Sequence, residues 1–214
     1  AAGKSNSTTK ISNCSVKDVI SINGAGHSFS TIIETSYADN LYIENCKVEE
    51  VVFSDLSYAS TIAASVSGKK TEISGCSVKN VTLSNVYAFG GIAGAINNSD
   101  NEITITNCSV KNIVADTNSS EFGGIVRVSS GTKKITIENC KVEDIDLKKM
   151  TRVGGIIDTN TGNGTIKNCS VNNFKVTEAA TWDMGGILGN AGNSSYYTDI
   201  IDCNVSNFTI EGTG

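Results

Sequence analysis

Short apolar segments and polar turn residues alternate along the whole chain, and the pattern recurs about every 30 residues. The segments are rich in isoleucine and valine, and glycine, asparagine, aspartate and serine separate them. This pattern is typical of β-strands joined by tight turns. No stretch keeps the three- and four-residue apolar spacing of an amphipathic helix. The sequence therefore predicts an all-β protein built from an internal repeat.

Seven cysteines mark the repeat at intervals of 29 to 34 residues. They are Cys14, Cys46, Cys76, Cys108, Cys140, Cys169 and Cys203. Three residues before each cysteine stands an isoleucine, and two residues after each stands a valine. A third segment places an isoleucine behind a Gly-Gly or Ser-Thr pair, at Ile32, Ile62, Ile92, Ile125, Ile156 and Ile187. Each repeat thus supplies three short apolar segments.

One repeat of this kind cannot bury its apolar side chains alone, but stacked repeats place equivalent side chains above one another. Neighbouring parallel strands lie about 4.8 Å apart, and parallel crossover connections are right-handed. We therefore predict a right-handed parallel β-helix, that is, a β-solenoid with three sheets and about seven coils of 29–34 residues. Residues 1–214 are predicted to form a single β-helix domain.

A leucine-rich repeat is the alternative architecture, because its apolar spacing also ends at asparagine or cysteine. In that motif two residues separate the last apolar position from the asparagine, whereas Ile105-Thr106-Asn107 leaves one. The rest of each repeat also lacks a helical pattern. Both departures favour the β-helix.

A second apolar residue directly follows each isoleucine of the third segment. These residues are Ile33, Ala63, Ala93, Val126, Ile157 and Leu188. Consecutive side chains of a straight strand point to opposite faces. Unless the chain bends here, one of the two columns forms an exposed apolar strip that is available to a neighbouring molecule.

The cysteines and the polar residues around them are predicted to be structural. No Cys-x-x-Cys pair is present, and thiols stacked in register point the same way, so we expect a ladder of buried free thiols without a metal. Turn-forming residues precede the cysteines at Asn13, Asn45, Gly75, Asn107, Asn139, Asn168 and Asp202. These residue types tolerate a left-handed backbone, and stacked asparagines form hydrogen-bonded ladders. A second polar column follows at Asp18, Glu50, Asn80, Asn112, Asp144, Asn173 and Asn207.

Composition and charge argue against several functions. The chain has 22 acidic residues and 17 lysines and arginines, so its net charge is -5. Because no basic cluster is present, nucleic acid is not expected as a partner. The single histidine, His27, excludes zinc sites built from several histidines. No apolar run approaches the roughly 18 residues of a membrane span, and we expect no metal site and no cofactor.

The Gly-Gly-Ile-x-Gly segment at 90–94, followed by an Ile-x-Asn-Cys strand and a Val-x-Asn turn, resembles the GLUG-type repeats of bacterial surface proteins and related right-handed β-helix modules. The resemblance covers nearly the whole chain and is strongest in the third to sixth coils. It departs in the first two coils, where Ser-Thr replaces the glycine pair, and at Arg127 and Asp158, where the last glycine would stand. It implies an exported adhesin, or a fragment of a longer surface protein.

One group of charged residues stands out when the coils are aligned. Two residues before the Gly-Gly pair, successive coils carry Glu121, Arg152 and Asp183, and stacking in register would alternate their charges. One interpretation is a ladder of ion pairs on a solvated face. The other is a carbohydrate-binding or catalytic groove with aromatic side chains beside it. The candidate ligand-binding residues are Glu121, Arg152, Asp183, Trp182, Tyr87, Arg127 and Asp158.

The sequence favours a non-catalytic extracellular adhesin or stalk module at a cell surface, which presents a binding face on a rigid rod. Its expected partner is a glycan or protein on the surface of a host or neighbouring cell. A filament built by head-to-tail self-association is one alternative, because the ends of solenoids expose strand edges. A polysaccharide lyase or glycosidase is the other, since right-handed β-helices also serve as scaffolds for such enzymes.

Overall fold

The computed structural model describes residues 7–22, 27–97, 100–116, 119–180, 183–192 and 195–212. These residues form 24 β-strands and no helix, which confirms the all-β prediction for this part of the chain. In chain order the strands are β1 (Thr8–Ser12), β2 (Ser15–Ser21), β3 (Ser28–Ser30), β4 (Ile33–Ser36), β5 (Asn40–Glu44), β6 (Lys47–Ser60), β7 (Ala63–Val66), β8 (Lys70–Ser74), β9 (Ser77–Gly90), β10 (Ala93–Asn97), β11 (Glu102–Thr106), β12 (Ser109–Ala115), β13 (Glu121–Gly123), β14 (Val126–Ser130), β15 (Lys134–Glu138), β16 (Lys141–Lys148), β17 (Arg152–Gly154), β18 (Ile157–Thr161), β19 (Gly164–Lys167), β20 (Ser170–Ala179), β21 (Met184–Gly185), β22 (Leu188–Asn190), β23 (Thr198–Ile201) and β24 (Asn204–Gly212).

The strands stack into three parallel sheets, and the chain winds through them as a β-solenoid of about six turns. The first sheet contains β1, β5, β8, β11, β15, β19 and β23. The second sheet contains β2, β3, β6, β9, β12, β13, β16, β17, β20, β21 and β24. The third sheet contains β4, β7, β10, β14, β18 and β22. The predicted three-sheet solenoid is therefore confirmed, and the leucine-rich repeat is not the architecture.

Equivalent residues of successive coils pair directly across the sheets, as Ile105 with Ile137 does in the first sheet. The repeated cysteines, isoleucines and valines fill the core between the sheets. Aromatic rings join them, and the ring centroids of the buried Phe89 and Phe122 lie 5.7 Å apart. Burying one such side chain stabilises the fold by roughly 1.5–3 kcal/mol. The repeat thus builds one continuous core along the rod.

Both columns of turn residues have a left-handed backbone. The residues before the seven cysteines all have positive φ, from 51° at Asp202 to 63° at Gly75, and so do the seven residues of the second polar column. Side chains of the second column form a ladder, in which Nδ2 of Asn112 donates to Oδ1 of Asn80 at 2.7 Å. Asn80 in turn donates to Oε1 of Glu50 at 2.6 Å. These columns turn the chain and link neighbouring coils.

All seven cysteines are free thiols. The five from Cys46 to Cys169 are buried, and Cys14 and Cys203 are half-buried. The Cys108 thiol donates to the carbonyl oxygen of Thr106, with 3.3 Å between sulfur and oxygen. Burial raises the pKa of Cys46 to about 11, so this thiol stays protonated and unreactive at neutral pH.

The chain bends sharply between the second and third sheets. The amides of Ile92 and Ala93 both donate to the carbonyl oxygen of Ile125, each at 2.9 Å. Because two successive amides share one acceptor, both side chains turn inward, and Ala93 is as fully buried as Ile92. The chain therefore bends where a straight strand would have left an exposed apolar strip, and every member of the column from Ala63 to Ile157 is buried in these coils.

Glycine occupies this bend in the later coils. A Cβ on Gly154 would overlap the carbonyl oxygen of Ile157, and a Cβ on Gly123 would overlap that of Val126. The outer face of the corner is concave there. Side chains that stand two residues before the glycine and four residues after it therefore converge.

The second coil makes the same bend with Ser60 and Thr61 in place of the glycine pair. Both residues are buried, and the Thr61 hydroxyl donates to the carbonyl oxygen of Gly91 in the next coil. This hydrogen bond gives the threonine a partner inside the corner. The Ser-Thr coils therefore keep the architecture despite their departure from the glycine motif.

Candidate functional site

Charged and aromatic side chains gather at the concave outer corner between the second and third sheets. Strands β13 and β17 place Glu121 and Arg152 opposite each other in register. Across the bend, β14 carries Arg127 and β18 carries Asp158. We call this surface the corner cleft, and define it by Tyr58, Tyr87, Glu121, Arg127, Arg152 and Asp158.

Glu121 is the centre of the cleft because it binds two arginines. Nη1 of Arg127 donates to Oε2 of Glu121 at 2.9 Å, and Nη2 of Arg152 lies 2.7 Å from Oε1. The side chains of Glu121 and Arg127 are each 12% exposed, and that of Arg152 is 27% exposed. Ion pairs with this degree of burial are better ordered than exposed pairs, which contribute little. The arrangement fixes the carboxylate and both guanidinium groups.

Asp158 closes the group from the third sheet. Its side chain is fully buried, and its Oδ2 lies 3.4 Å from Nη2 of Arg152. Its Oδ1 has no hydrogen-bond partner among the residues that the structure describes. Burial raises the pKa of Asp158 to about 7; the positive charges of Arg152 and Arg127 oppose this rise, and the negative charge of Glu121 adds to it. The Asp158 carboxyl therefore changes its protonation near neutral pH.

Asp183, the third residue of the aligned charged column, has a different partner. Its carboxylate accepts a hydrogen bond from Nδ2 of Asn190 in β22. Arg152 instead forms its ion pairs with Glu121 and Asp158. The charges therefore alternate from Glu121 to Arg152 along the second sheet, and the next charge in the series is that of Asp158 across the bend.

Two tyrosines border the charged group. The rings of Tyr58 and Tyr87 meet edge to face, with centroids 6.2 Å apart and planes at 85°. The guanidinium carbon of Arg127 lies 5.1 Å from the centroid of the Tyr58 ring, a cation–π distance. Tyr58 is 42% exposed and Tyr87 is 49% exposed. Trp182, which the sequence also suggested, lies outside the described residues.

The sequence reasoning missed Tyr58 and Asn190. Tyr58 pairs with Ala88, and Ala88 pairs with Glu121, so Tyr58 occupies the same repeat position as the charged column. Extending the alignment to the second coil would have found it. Asn190 carried no such signal, because its contact with Asp183 depends on the bend that joins two strands of the same coil.

Two depressions open from the corner cleft. One, of about 260 Å³, is lined by Tyr87, Ser120, Glu121, Thr151 and Arg152. The other, of about 190 Å³, lies toward the first coils, and its lining residues are Ser28, Tyr58, Ala59, Ala64, Ser65, Gly94, Ala95 and Arg127. The first depression thus has an aromatic side chain and charged groups within one small volume.

A wider groove of about 550 Å³ runs beside the second polar column, between Asp18 and Val114. The column side chains of Glu50, Asn80 and Asn112 hydrogen-bond to one another there. These hydrogen bonds connect coils, so we interpret the column as structural. The corner cleft remains the stronger candidate for a binding site.

Within the described residues, no group of three or more histidine, cysteine, aspartate or glutamate side chains is placed to hold a metal ion. The same part of the chain contains no helix with the length and apolar character needed to cross a membrane. Comparison with protein families, curated proteins and solved structures finds no match to this chain.

Proposed function

We propose that this chain is a non-catalytic extracellular adhesin or stalk module that presents the corner cleft, on a rigid rod, to a glycan or protein of another cell's surface. The observation that carries the proposal is the cleft itself. Glu121 is fixed by two arginines, and half-exposed tyrosines stand beside it. Aromatic surface with a few fixed polar groups is the usual composition of a ligand site.

The regular stacking of the coils supports the role of a spacer. Each coil is hydrogen-bonded to the next along three sheets, and one core runs through them. A rod of this kind resists bending and holds a side-chain group at a fixed distance from an attachment point. The resemblance to GLUG-type repeat modules supports the further proposal that it belongs to an exported bacterial surface protein.

Binding without turnover is favoured by the state of the two carboxyl groups in the cleft. Hydrolysis of a glycosidic bond usually requires two carboxyl groups that reach the substrate. Asp158 is fully buried, and Glu121 is held between two guanidinium groups. These two residues therefore suit a preformed binding surface better than an acid–base pair.

The test is to pass the full chain over immobilised polysaccharides while measuring released reducing ends from the same polymers in solution. We expect retention on at least one polymer without products, and weaker retention for Arg152→Ala. The matched control is Lys133→Ala, which removes an exposed ion pair with Glu102 on the first sheet. Release of products that Arg152→Ala abolishes would replace the adhesin proposal with a polysaccharide-degrading enzyme.

Head-to-tail assembly into a filament is the second candidate function. The middle coils pair in one parallel register, and the pairing of β20 with β24 keeps that register up to a shift between Val176 and Ala179, so strands of one copy could pair with those of another in the same way. Light scattering over a concentration series separates the two candidates. A molar mass that grows with concentration supports the filament, and a constant monomer mass supports the adhesin or stalk.

A further inference from the structure

We propose that the corner cleft binds a neutral saccharide, with one pyranose ring seated against Tyr87 beside the ion pair of Glu121 and Arg152. This inference rests on the proposed function of the cleft as a binding face, and it names the class of ligand. Three features carry it: the size of the depression, the exposed aromatic side chain and the internal neutralisation of the charges.

The size of the first depression suits a single sugar ring. Its volume is about 260 Å³, and its lining residues come from three successive coils, with Tyr87 on one coil, Ser120 and Glu121 on the next, and Thr151 and Arg152 on the third. The walls are parts of hydrogen-bonded strands or directly precede them, and the amide of Ser120 donates to the carbonyl oxygen of Tyr87 at 2.8 Å. The site is therefore formed before any ligand arrives.

The tyrosine supplies an apolar surface with a fixed orientation. Half of the Tyr87 side chain is exposed, and its edge-to-face contact with Tyr58 restrains the ring. A pyranose carries C–H groups on its faces and hydroxyl groups around its rim. An aromatic side chain can cover the apolar face while the polar groups beside it reach the rim.

The charges of the cleft favour a neutral ligand over an ion. Arg127 and Arg152 both bind Glu121, and Arg152 also reaches Asp158. Because the pKa of Asp158 is about 7, the positive and negative groups neutralise one another fully above that pH. An anionic ligand would have to displace Glu121 from its arginines, and a cationic ligand would meet two guanidinium groups. A hydroxyl group both donates and accepts, so it can use the remaining lone pairs of Glu121 and the remaining N–H groups of a guanidinium together.

The second depression extends the site along the rod. It contains Tyr58 and begins on the first two coils, and it reaches Gly94, Ala95 and Arg127 on the two coils that carry Tyr87 and Glu121. Successive coils are about 4.8 Å apart, which is comparable to the length of one pyranose residue in a linear chain. We therefore expect an unbranched oligosaccharide to lie parallel to the rod axis, with neighbouring residues near Tyr87 and Tyr58.

The experiment is a calorimetric titration of the full chain with three classes of probe of matched length: neutral cello-, malto- and manno-oligosaccharides, anionic oligogalacturonate and cationic chitosan oligomers. At pH 8, where Asp158 is ionised, we expect binding of a neutral probe with an affinity that does not change between low and high salt. Tyr87→Ala should weaken it about tenfold, whereas Tyr87→Phe retains the ring and should bind as the wild type does. Tyr37→Ala is the matched control, because Tyr37 is 81% exposed and outside the cleft.

The outcomes separate the ligand class from the proposed function. Salt-sensitive binding of oligogalacturonate or chitosan oligomers would overturn the neutral-ligand inference and leave the adhesin proposal standing. Equal loss of affinity in Tyr87→Ala and Tyr37→Ala would overturn the assignment of the site. Absence of binding to every oligosaccharide probe would overturn the inference as well. If the immobilised polysaccharides also failed to retain the chain, the role of the cleft as a glycan-binding face would be overturned with it.

Discussion

Asp158 shows most directly how one residue responds to its place in this fold. A buried carboxyl group is destabilised in its charged form, and only nearby opposite charge offsets that cost. Arg152 lies at 3.4 Å from Asp158, but it lies closer to Glu121, at 2.7 Å. Arg152 thus interacts more strongly with Glu121 than with Asp158.

Replacing Asp158 with asparagine should stabilise the protein at neutral pH and remove a pH dependence. The pKa of Asp158 rises from the usual 3.8 to about 7 on folding. Between these values the folded chain keeps a proton that the unfolded chain releases, so the free energy of unfolding falls as pH rises. A pKa difference of about 3 is equivalent to about 4 kcal/mol, all of which is lost above pH 7. Denaturant unfolding of wild type and Asp158→Asn from pH 4 to pH 8 measures the difference.

The control for this prediction is Asp199→Asn, which removes an exposed carboxyl group on β23. It tests whether burial is required for the effect. A wild-type stability that increases from pH 4 to pH 7, with Asp158→Asn flat, would contradict the raised pKa and show that Arg152 holds Asp158 ionised.

At the scale of an element, the corner between the second and third sheets determines what the cleft contains. A straight strand would separate Arg152 and Asp158 by six residues and place them far apart. The bend at Gly154 and Gly155 brings them to 3.4 Å. Gly123 performs the same function for Glu121 and Arg127. The cleft is therefore a consequence of the glycine corner.

Gly154→Ala should lower the free energy of unfolding by roughly 3 kcal/mol, because the new methyl group overlaps the backbone oxygen of Ile157 and the backbone of the corner has to shift. Gly131→Ala is the matched control. Nothing lies within 4 Å of its Cβ, but its φ is 61°, so we expect a loss of only about 1 kcal/mol from the left-handed backbone. Thermal and denaturant unfolding compare the two, and equal losses would show that the corner relaxes.

The three-sheet solenoid was predictable from the sequence, because the repeat of cysteine, isoleucine and valine follows directly from stacking in register. The pairing of Glu121 with Arg152 was predictable for the same reason. The burial of Ala93 was not, since it depends on two amides sharing one carbonyl oxygen. Arg152 pairs with Asp158, and not with Asp183, because of that same bend. Alignment of the coils alone could therefore not predict this pairing.

At the scale of the whole molecule, the core of each coil is covered by the coils on either side of it. The cysteines show this directly. They occupy the same position in every repeat, but their burial differs between the middle and the ends of the rod. Five of its thiols are buried, and the first and last, Cys14 and Cys203, are half-buried. The rate at which a reagent modifies the buried thiols therefore measures how readily the coils open.

In the native protein, we expect the aromatic disulfide reagent DTNB to modify Cys14 and Cys203 and to leave the five buried thiols unmodified at neutral pH. Burial blocks access to these five, and the pKa of Cys46, raised to about 11, also suppresses its reactive thiolate. All seven should react in denaturant, which serves as the internal control.

The Phe122→Ala variant, which removes a fully buried ring, should react faster because a cavity of this kind costs roughly 3–5 kcal/mol and raises the population of open coils. Rapid native reaction of Cys108, from the middle of the ladder, would mean that the coils open one by one, and the rod would then be too soft to hold a preformed corner cleft.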